Sequence, residues 1–178
     1  MSLHSTTILC IKKDGKVQFI ADGQVTLGES VVIKSNAKKL RKLCEGKVVV
    51  GYAGSVADCL TMIDRLERKF TEHSEQLMRS VIELIKEWRT DRTTRSLNAS
   101  LIVADKTDIV IIGGDGTIME AEEGIASIGS GSMYAISAAK ALIDLPNFSA
   151  KEIALKSMNI ASDLCVFTNK NYTFESIE

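Results

Sequence analysis

The sequence predicts an α+β fold in which pairs of helices cover stacked antiparallel sheets. The chain has 178 residues, and 45% of them are hydrophobic, which is enough to form one compact core. Runs of β-forming residues occur in groups, and the helical patterns between these groups come two at a time. Single helices alternating with single strands would instead indicate a parallel sheet.

The first part of the chain predicts four strands. The dipeptide Asp14-Gly15 is a strong signal for a two-residue hairpin, and it separates two runs of β-forming residues. Gly23 and Gly28 then bracket a stretch that favours turns. The predicted strands are 6–13, 16–22, 30–34 and 47–53.

A helix pair follows these strands. Ser55 and Asp58 form a pair typical of a helix N-terminus, and apolar residues recur behind them at helical spacing as far as Phe70. A second helix is predicted over 74–92, with one apolar face that includes Trp88.

The second half of the chain repeats this order. Strands are predicted over 99–104 and 108–112, with a glycine-rich turn at 113–116 leading into another short strand, and a second glycine-rich segment at 129–132 follows residues 125–128. A helix of small residues follows, and a capping box of Ser149 and Glu152 then opens another helix. The last predicted strand covers 165–174.

Composition excludes several classes of function. The net charge is −1 with 25% charged residues, so no basic excess is present to neutralise the phosphates of a nucleic acid. No apolar run approaches the roughly 20 residues that span a bilayer, and the first residues lack the features of a secretory signal. The four cysteines form no C-x-x-C pair, and no Walker A motif is present. We therefore expect no nucleic acid, no membrane, no zinc site and no nucleotide site.

An ordered set of short strings gives the chain a specific resemblance. In chain order they are Thr6-Thr7-Ile8, DGQVTLG at 22–28, NAKK at 36–39, GYAG at 51–54, WRTDR at 88–92, IGSG at 128–131 and CVFTN at 165–169. Together they resemble the HslV (ClpQ) peptidase family, which has the N-terminal-nucleophile hydrolase fold. The resemblance implies a four-layer αββα sandwich of two antiparallel sheets flanked by helix pairs. It assigns this peptidase domain to residues 6–178, and residues 1–5 to a short propeptide or to residues added ahead of the natural chain.

The resemblance also implies a threonine nucleophile. A threonine hydroxyl is a weak nucleophile that needs an adjacent base, and the α-amine of an N-terminal threonine can serve, with a pKa of about 7.7–8. Thr6 matches the family's nucleophile, so we expect cleavage after Ser5. Thr7 competes with Thr6 for this role. Neighbouring side chains of a strand point to opposite faces, so the two threonines cannot both face the site.

Further roles follow from the same resemblance. Lys39 is expected beside the nucleophile, where an ammonium lowers the pKa of the amine and favours the developing alkoxide. Lys38 is the alternative, because this chain has one extra residue upstream compared with some family members. Asp22 is expected to keep Lys39 charged and oriented. Gly51 matches the glycine whose N–H helps to hold the oxyanion, and Ser130 matches a serine that relays a proton or holds a water molecule.

The family also implies a cation and partners. Backbone carbonyls of Ser162, Cys165 and Thr168 match a site for a monovalent cation such as Na⁺, and no redox cofactor or catalytic metal is implied. Family members stack two hexameric rings into a chamber, and HslU, a hexameric AAA+ ATPase, threads unfolded proteins into it. The implied location is the bacterial cytoplasm, or the mitochondrial matrix if the source is eukaryotic.

Two other functions stay open on the sequence. One is a small-molecule amidohydrolase of the same fold. The other is a non-catalytic ring subunit whose N-terminus stays blocked. An intact N-terminus would identify the blocked subunit, because a chain that begins at Met1 cannot use Thr6. Hydrolysis of a hydrophobic peptide, stimulated by the ATPase and ATP, would distinguish the peptidase from the amidohydrolase.

Overall fold

The computed structural model describes residues 3–4, 6–28, 30–90 and 97–178. The strands within these ranges are β1 (Leu3–His4), β2 (Thr7–Lys13), β3 (Lys16–Asp22), β4 (Val25–Leu27), β5 (Val31–Lys34), β6 (Leu40–Leu43), β7 (Val48–Gly54), β8 (Ala99–Ala104), β9 (Ile109–Gly113), β10 (Ile118–Glu120), β11 (Ile125–Gly129) and β12 (Tyr172–Ile177). The α-helices are α1 (Val56–Glu72), α2 (Leu77–Thr90), α3 (Ser132–Leu142) and α4 (Ala150–Leu164).

Two antiparallel sheets form the centre of the molecule. One has four strands in the order β11-β2-β3-β12, and the other has five in the order β10-β9-β8-β7-β6. A smaller sheet joins β1, β4 and β5. The hairpin of β2 and β3 closes at Asp14-Gly15, as the sequence predicts, with Lys13 paired to Lys16.

Strand alternation explains why the central strands are hydrophobic throughout. In β2, Ile8 and Cys10 face the other sheet, whereas Leu9 and Ile11 face α3 and α4. Strands β7 and β8 alternate in the same way, with their outward side chains packed under α1 and α2. Each sheet therefore buries both faces, and the four layers run helix pair, five-stranded sheet, four-stranded sheet, helix pair. The predicted α+β sandwich is confirmed.

Two helix starts follow the capping signals in the sequence. The Ser55 hydroxyl accepts a hydrogen bond from the Asp58 N–H at the start of α1. At α4 the capping box is complete, since Ser149 and Glu152 each accept from the other's backbone N–H. The second predicted helix begins later than expected, at Leu77, because Ser74 and Glu75 have φ values of 55° and 63° that a helix does not allow. Its predicted last residues, 91 and 92, lie outside the described ranges.

Four strand assignments differ from the sequence prediction, and one of them is β1, which pairs with β4. Strand β6 was not predicted, because two of its four residues are the exposed Arg41 and Lys42, and pairing with β7 holds it in place. The turn-prone stretch after β3 contains the short strand β4. The last strand is β12 rather than 165–174, since the Thr168 N–H donates to the Cys165 carbonyl and closes a turn there. β-Propensity is overridden in each case by tertiary contacts.

None of the helices in the described ranges combines the length and the apolar character that a membrane crossing requires.

Candidate active site

The centre of the candidate site is the carboxylate of Asp22, at the end of β3. Asp22 has no solvent-exposed surface. Its Oδ1 accepts hydrogen bonds from the Thr7 N–H and from Lys39 Nζ, both at 2.8 Å. Its Oδ2 accepts from the backbone N–H groups of Gln24, at 2.9 Å, and Asn169, at 3.3 Å. Four donors therefore compensate a carboxylate that burial alone would strongly disfavour.

Lys39 is the cation that faces this carboxylate. Its residue surface is only 4% exposed, and Nζ donates to Asp22 Oδ1 and to the Gln24 carbonyl, at 2.7 Å. Burial lowers the pKa of Lys39 from its ordinary value, and the negative charge of Asp22 offsets part of that effect. The neighbouring Lys38 is exposed, and its carbonyl accepts a hydrogen bond from the Tyr52 hydroxyl. The geometry favours Lys39 over Lys38.

Thr6 lies directly before β2, against the loop that carries Ser130. Thr6 is 8% exposed, and its carbonyl accepts a hydrogen bond of 2.8 Å from the Ser130 N–H. Gly129 adopts φ 94°, and a Cβ atom there would lie 1.9 Å from the Thr6 carbonyl oxygen. The loop therefore follows the Thr6 backbone at a distance that only glycine allows. Ser130 itself is exposed at the surface of this loop.

Thr7 uses its side chain to hold the same loop from the other direction. Its Oγ1 accepts a hydrogen bond of 2.9 Å from the Gly131 N–H and lies 2.6 Å from Thr168 Oγ1. Thr7 is fully buried. Because its hydroxyl is committed to these structural contacts, the arrangement favours Thr6 over Thr7 as the reactive threonine.

Gly51 lies in the middle of β7, between β6 and β8. The Tyr52 N–H donates to the carbonyl of Lys39, the residue before β6. A Cβ atom at Gly51 would lie 2.7 Å from Ile8 Cγ2. Gly51 thus permits close packing of the two sheets behind Thr6, and the oxyanion role expected from the sequence stays a prediction.

The expected cation ligands lie on one short segment. Ser162 is in the last turn of α4, Cys165 follows its end and Thr168 closes the next turn. The last carbonyls of a helix lack intrahelical partners and carry the negative end of its dipole. The Ser162 hydroxyl already forms hydrogen bonds with the Asn159 carbonyl and the Tyr172 hydroxyl. The backbone carbonyl of Ser162 is therefore the group that would bind a cation. Neutral oxygens of this kind suit a hard cation, and the residues present fit Na⁺.

Sequence reasoning missed several residues of this site. The contact between Thr7 and Thr168 joins residues 161 positions apart, and no local pattern signals it. Asn169, which donates to Asp22, is marked in the sequence only as part of the string CVFTN. The GSG string was a usable signal, since glycine at 129 and 131 indicates close backbone approach.

Comparisons with known proteins show the family of this chain. The family model described as "Proteasome subunit" matches residues 2–177. The ATP-dependent protease subunit HslV of Thermosipho melanesiensis is 51% identical over 177 residues, covering 99% of this chain and 100% of that protein. The HslV of a Wolbachia endosymbiont of Brugia malayi is 52% identical over 176 residues and covers 99% of each chain.

A solved structure is similar over the same length. The crystal structure of eukaryotic HslV from Trypanosoma brucei superposes with a TM-score of 0.91 at 46% identity, covering 97% of this chain and 99% of that one. Family model, full-length relatives and fold all agree, and the chain therefore belongs to the HslV family of proteasome-type threonine peptidase subunits.

Proposed function

We propose that this chain is the threonine endopeptidase subunit of an ATP-dependent, chambered protease, with Thr6 as its nucleophile. The observation that carries the proposal is the buried Asp22–Lys39 pair, which is hydrogen-bonded to the backbone of Thr7, next to Thr6. Burying an ion pair carries a desolvation cost that its hydrogen bonds must offset, and perturbed charged groups of this kind cluster at functional sites.

The chemistry begins with cleavage of the bond between Ser5 and Thr6, which converts an amide nitrogen into an α-amine. The amine accepts the hydroxyl proton of Thr6 as Oγ attacks a peptide carbonyl. Collapse of the tetrahedral intermediate breaks the C–N bond, and the ammonium returns its proton to the leaving nitrogen. Water then attacks the ester, with the amine again as base, and releases Thr6.

The surrounding residues tune this amine and hydroxyl. The Lys39 ammonium lowers the pKa of the Thr6 amine, so a larger fraction is neutral near pH 7.5, and it stabilises the alkoxide that forms. Asp22 keeps Lys39 protonated and oriented through a 2.8 Å contact. Ser130 relays a proton or holds a water molecule beside the amine, because its N–H already fixes it against the Thr6 carbonyl.

The assembly follows from the family. The relatives are named ATP-dependent protease subunits, and we propose that this chain likewise forms two stacked hexameric rings. It would receive unfolded proteins from an HslU-type AAA+ ATPase, in the bacterial cytoplasm or, for a eukaryotic source, in the mitochondrial matrix. Large apolar side chains on β5 support subunit contacts, since Val31, Val32 and Ile33 are each more than half exposed.

A cation completes the proposal. The carbonyls of Ser162, Cys165 and Thr168 would hold Na⁺ at the end of α4, where it would steady the turn that carries Thr168. The side chain of Thr168 then holds Thr7. The ion takes no part in the bond-making steps, and we propose no catalytic cofactor.

The test combines N-terminal sequencing of the assembled particle with hydrolysis of a hydrophobic reporter peptide. We expect chains that begin at Thr6, and hydrolysis that rises when the ATPase partner and ATP are added. Thr6→Val should abolish turnover, while Thr6→Ser, which keeps both amine and hydroxyl, should retain part of it.

Each competing function has its own outcome. Intact leading pentapeptides together with no hydrolysis would indicate a blocked ring subunit. Hydrolysis of small amides without any stimulation by the ATPase would indicate an amidohydrolase. Full protein digestion by Thr6→Val particles would contradict the proposed nucleophile.

A further inference from the structure

Asn169 joins the turn after α4 to the two chain segments that carry the ion pair. Its N–H donates to Asp22 Oδ2 at 3.3 Å, and its side-chain Oδ1 accepts from the Gly23 N–H at 3.2 Å. Its Nδ2 donates to the Ser35 carbonyl at 2.9 Å. One residue thus bonds Asp22, the residue after Asp22 and the segment that leads to Lys39.

These bonds close a small ring of contacts around the ion pair. The Ala37 N–H donates to the Gly23 carbonyl at 2.8 Å, so the segment 35–37 is held both by Gly23 and by Asn169. Two residues later the chain reaches Lys39, whose Nζ returns to Asp22. A Cβ atom at Gly23 would lie 2.5 Å from the Ser35 carbonyl oxygen, so the two segments are packed too closely for any larger residue at position 23.

We propose that Asn169 is a positioning residue for the reaction, because it sets the spacing at which Lys39 Nζ meets Asp22 Oδ1. The inference rests on the proposed function, since the ion pair serves catalysis only if Thr6 is the nucleophile. An amide suits the position because one planar group supplies an acceptor to Gly23 and a donor to Ser35. No other uncharged side chain of this length offers both.

The neighbouring Asn171 provides a control that distinguishes positioning of the ion pair from simple support of the turn. The Asn171 Nδ2 also donates to the Ser35 carbonyl at 2.9 Å, yet its side chain has no recorded bond to Asp22 or Gly23 in the described residues. Asn171→Ala therefore removes a comparable bond to the same acceptor and keeps the Asn169 contacts with Asp22 and Gly23. It is the matched control for Asn169→Ala.

The experiment measures peptide hydrolysis by the assembled particle across pH for the wild type, Asn169→Ala, Asn169→Asp and Asn171→Ala. For Asn169→Ala we expect kcat to fall about tenfold or more with KM changed less than about twofold, since a misplacement of ~1 Å can cost ~100-fold. The alkaline limb of kcat should move to lower pH by about 0.5–1 unit. The reason is that Asp22, when it is held less firmly, raises the pKa of Lys39 less than it does in the wild type. Asn169→Asp keeps the acceptor for Gly23 and should recover part of kcat.

A second readout does not depend on turnover. The pKa of Lys39 can be followed by NMR with ¹³C-labelled lysine, with its signal identified by its loss in Lys39→Arg. A lower pKa in Asn169→Ala but not in Asn171→Ala supports the inference. An unchanged pKa with unchanged kcat, or a loss of kcat and Tm shared equally by both variants, overturns it. If Asn169→Ala does not fold, the same comparison is made with Asn169→Ser, which adds no charge near Lys39. A wild-type particle without hydrolysis would contradict the proposed function instead, whatever the pKa of Lys39.

Discussion

Lys39 Nζ and Asp22 Oδ1 lie 2.8 Å apart in a region almost closed to solvent, and the same oxygen also accepts the Thr7 N–H. The ion pair is therefore not an independent structural feature, because it shares an atom with the strand that presents Thr6. Removing one partner of a buried pair typically costs about 3–5 kcal/mol, since the other charge is left uncompensated. Activity and stability are consequently linked at this one oxygen.

Asp22→Asn should shift the pH dependence of the enzyme. The change keeps an oxygen for the Thr7 N–H but removes the charge that raises the pKa of Lys39, so that pKa falls further below its ordinary value. Lys39 then loses its proton at lower pH, and the alkaline limb of kcat moves towards neutrality. We expect kcat near pH 8 to fall about 100-fold, as for loss of a group that acts on the transition state.

The change of folding stability with pH also has a defined direction for this variant. Because the folded pKa of Lys39 lies below its unfolded value, the unfolded state binds more protons between the two values, and stability rises with pH through that window. Because Asp22→Asn lowers the folded pKa of Lys39, the pH range in which stability rises extends to lower pH. Denaturant unfolding at several pH values checks this, with Asp14→Asn in the exposed hairpin turn as the control. An unmoved alkaline limb would contradict the assignment.

Lys39→Met and Lys38→Met should separate the two neighbouring lysines. Methionine keeps most of the length of the aliphatic stem, so the loss at position 39 is chiefly the ammonium and its hydrogen bonds to Asp22 and Gln24. We expect turnover to fall at least about 100-fold for Lys39→Met and to change less than about twofold for the exposed Lys38→Met. Equal losses in both variants, measured with the same reporter peptide, would mean that the charge acts at long range.

The sequence predicts most of the fold because the central strands and helices carry strong local patterns. The run of β-forming residues in β2, the turn at Asp14-Gly15 and the caps at Ser55 and Ser149 are visible without tertiary knowledge. Strand β6 is different, since exposed Arg41 and Lys42 resemble a loop and only pairing with β7 makes them a strand. Local propensity cannot report such a partner.

The candidate site was predictable only through the family resemblance. An aspartate before a glycine is typical of a turn, and a run of lysines is typical of an exposed surface. That Asp22 and Lys39 are buried together depends on contacts between segments 17 residues apart, and the role of Thr168 depends on one 161 residues away. The oxyanion role of Gly51 likewise depends on the resemblance alone and stays a prediction.

Replacing Na⁺ with a bulky organic cation should destabilise the turn after α4. The carbonyls of Ser162, Cys165 and Thr168 suit a small hard ion, and an ion that binds only the folded state adds about 2.7 kcal/mol of stability at 100 times its Kd. We expect a lower Tm and a lower kcat in N-methylglucamine chloride, both restored by NaCl at constant ionic strength. If equal ionic strength gives equal Tm with either cation, no site of this kind operates.

Gly131→Ala should couple energetically to Thr7. The backbone of Gly131 is unstrained, with φ −91°, but a Cβ atom there would lie 2.4 Å from Thr7 Oγ1 and 2.8 Å from Thr168 Oγ1. The substitution therefore pushes the Ser130 loop away from Thr6, and we expect losses of both Tm and kcat. Thr7→Ala removes the nearest atom, so the double variant should lose less than the sum of the single variants, with a coupling of about 1 kcal/mol or more in a double-mutant cycle.

Gly15→Ala is the control, because it meets nothing within 4 Å and only its φ of 76° is unfavourable, so it should lower stability without changing kcat. Strict additivity between positions 7 and 131 would show that the loop is positioned by other contacts.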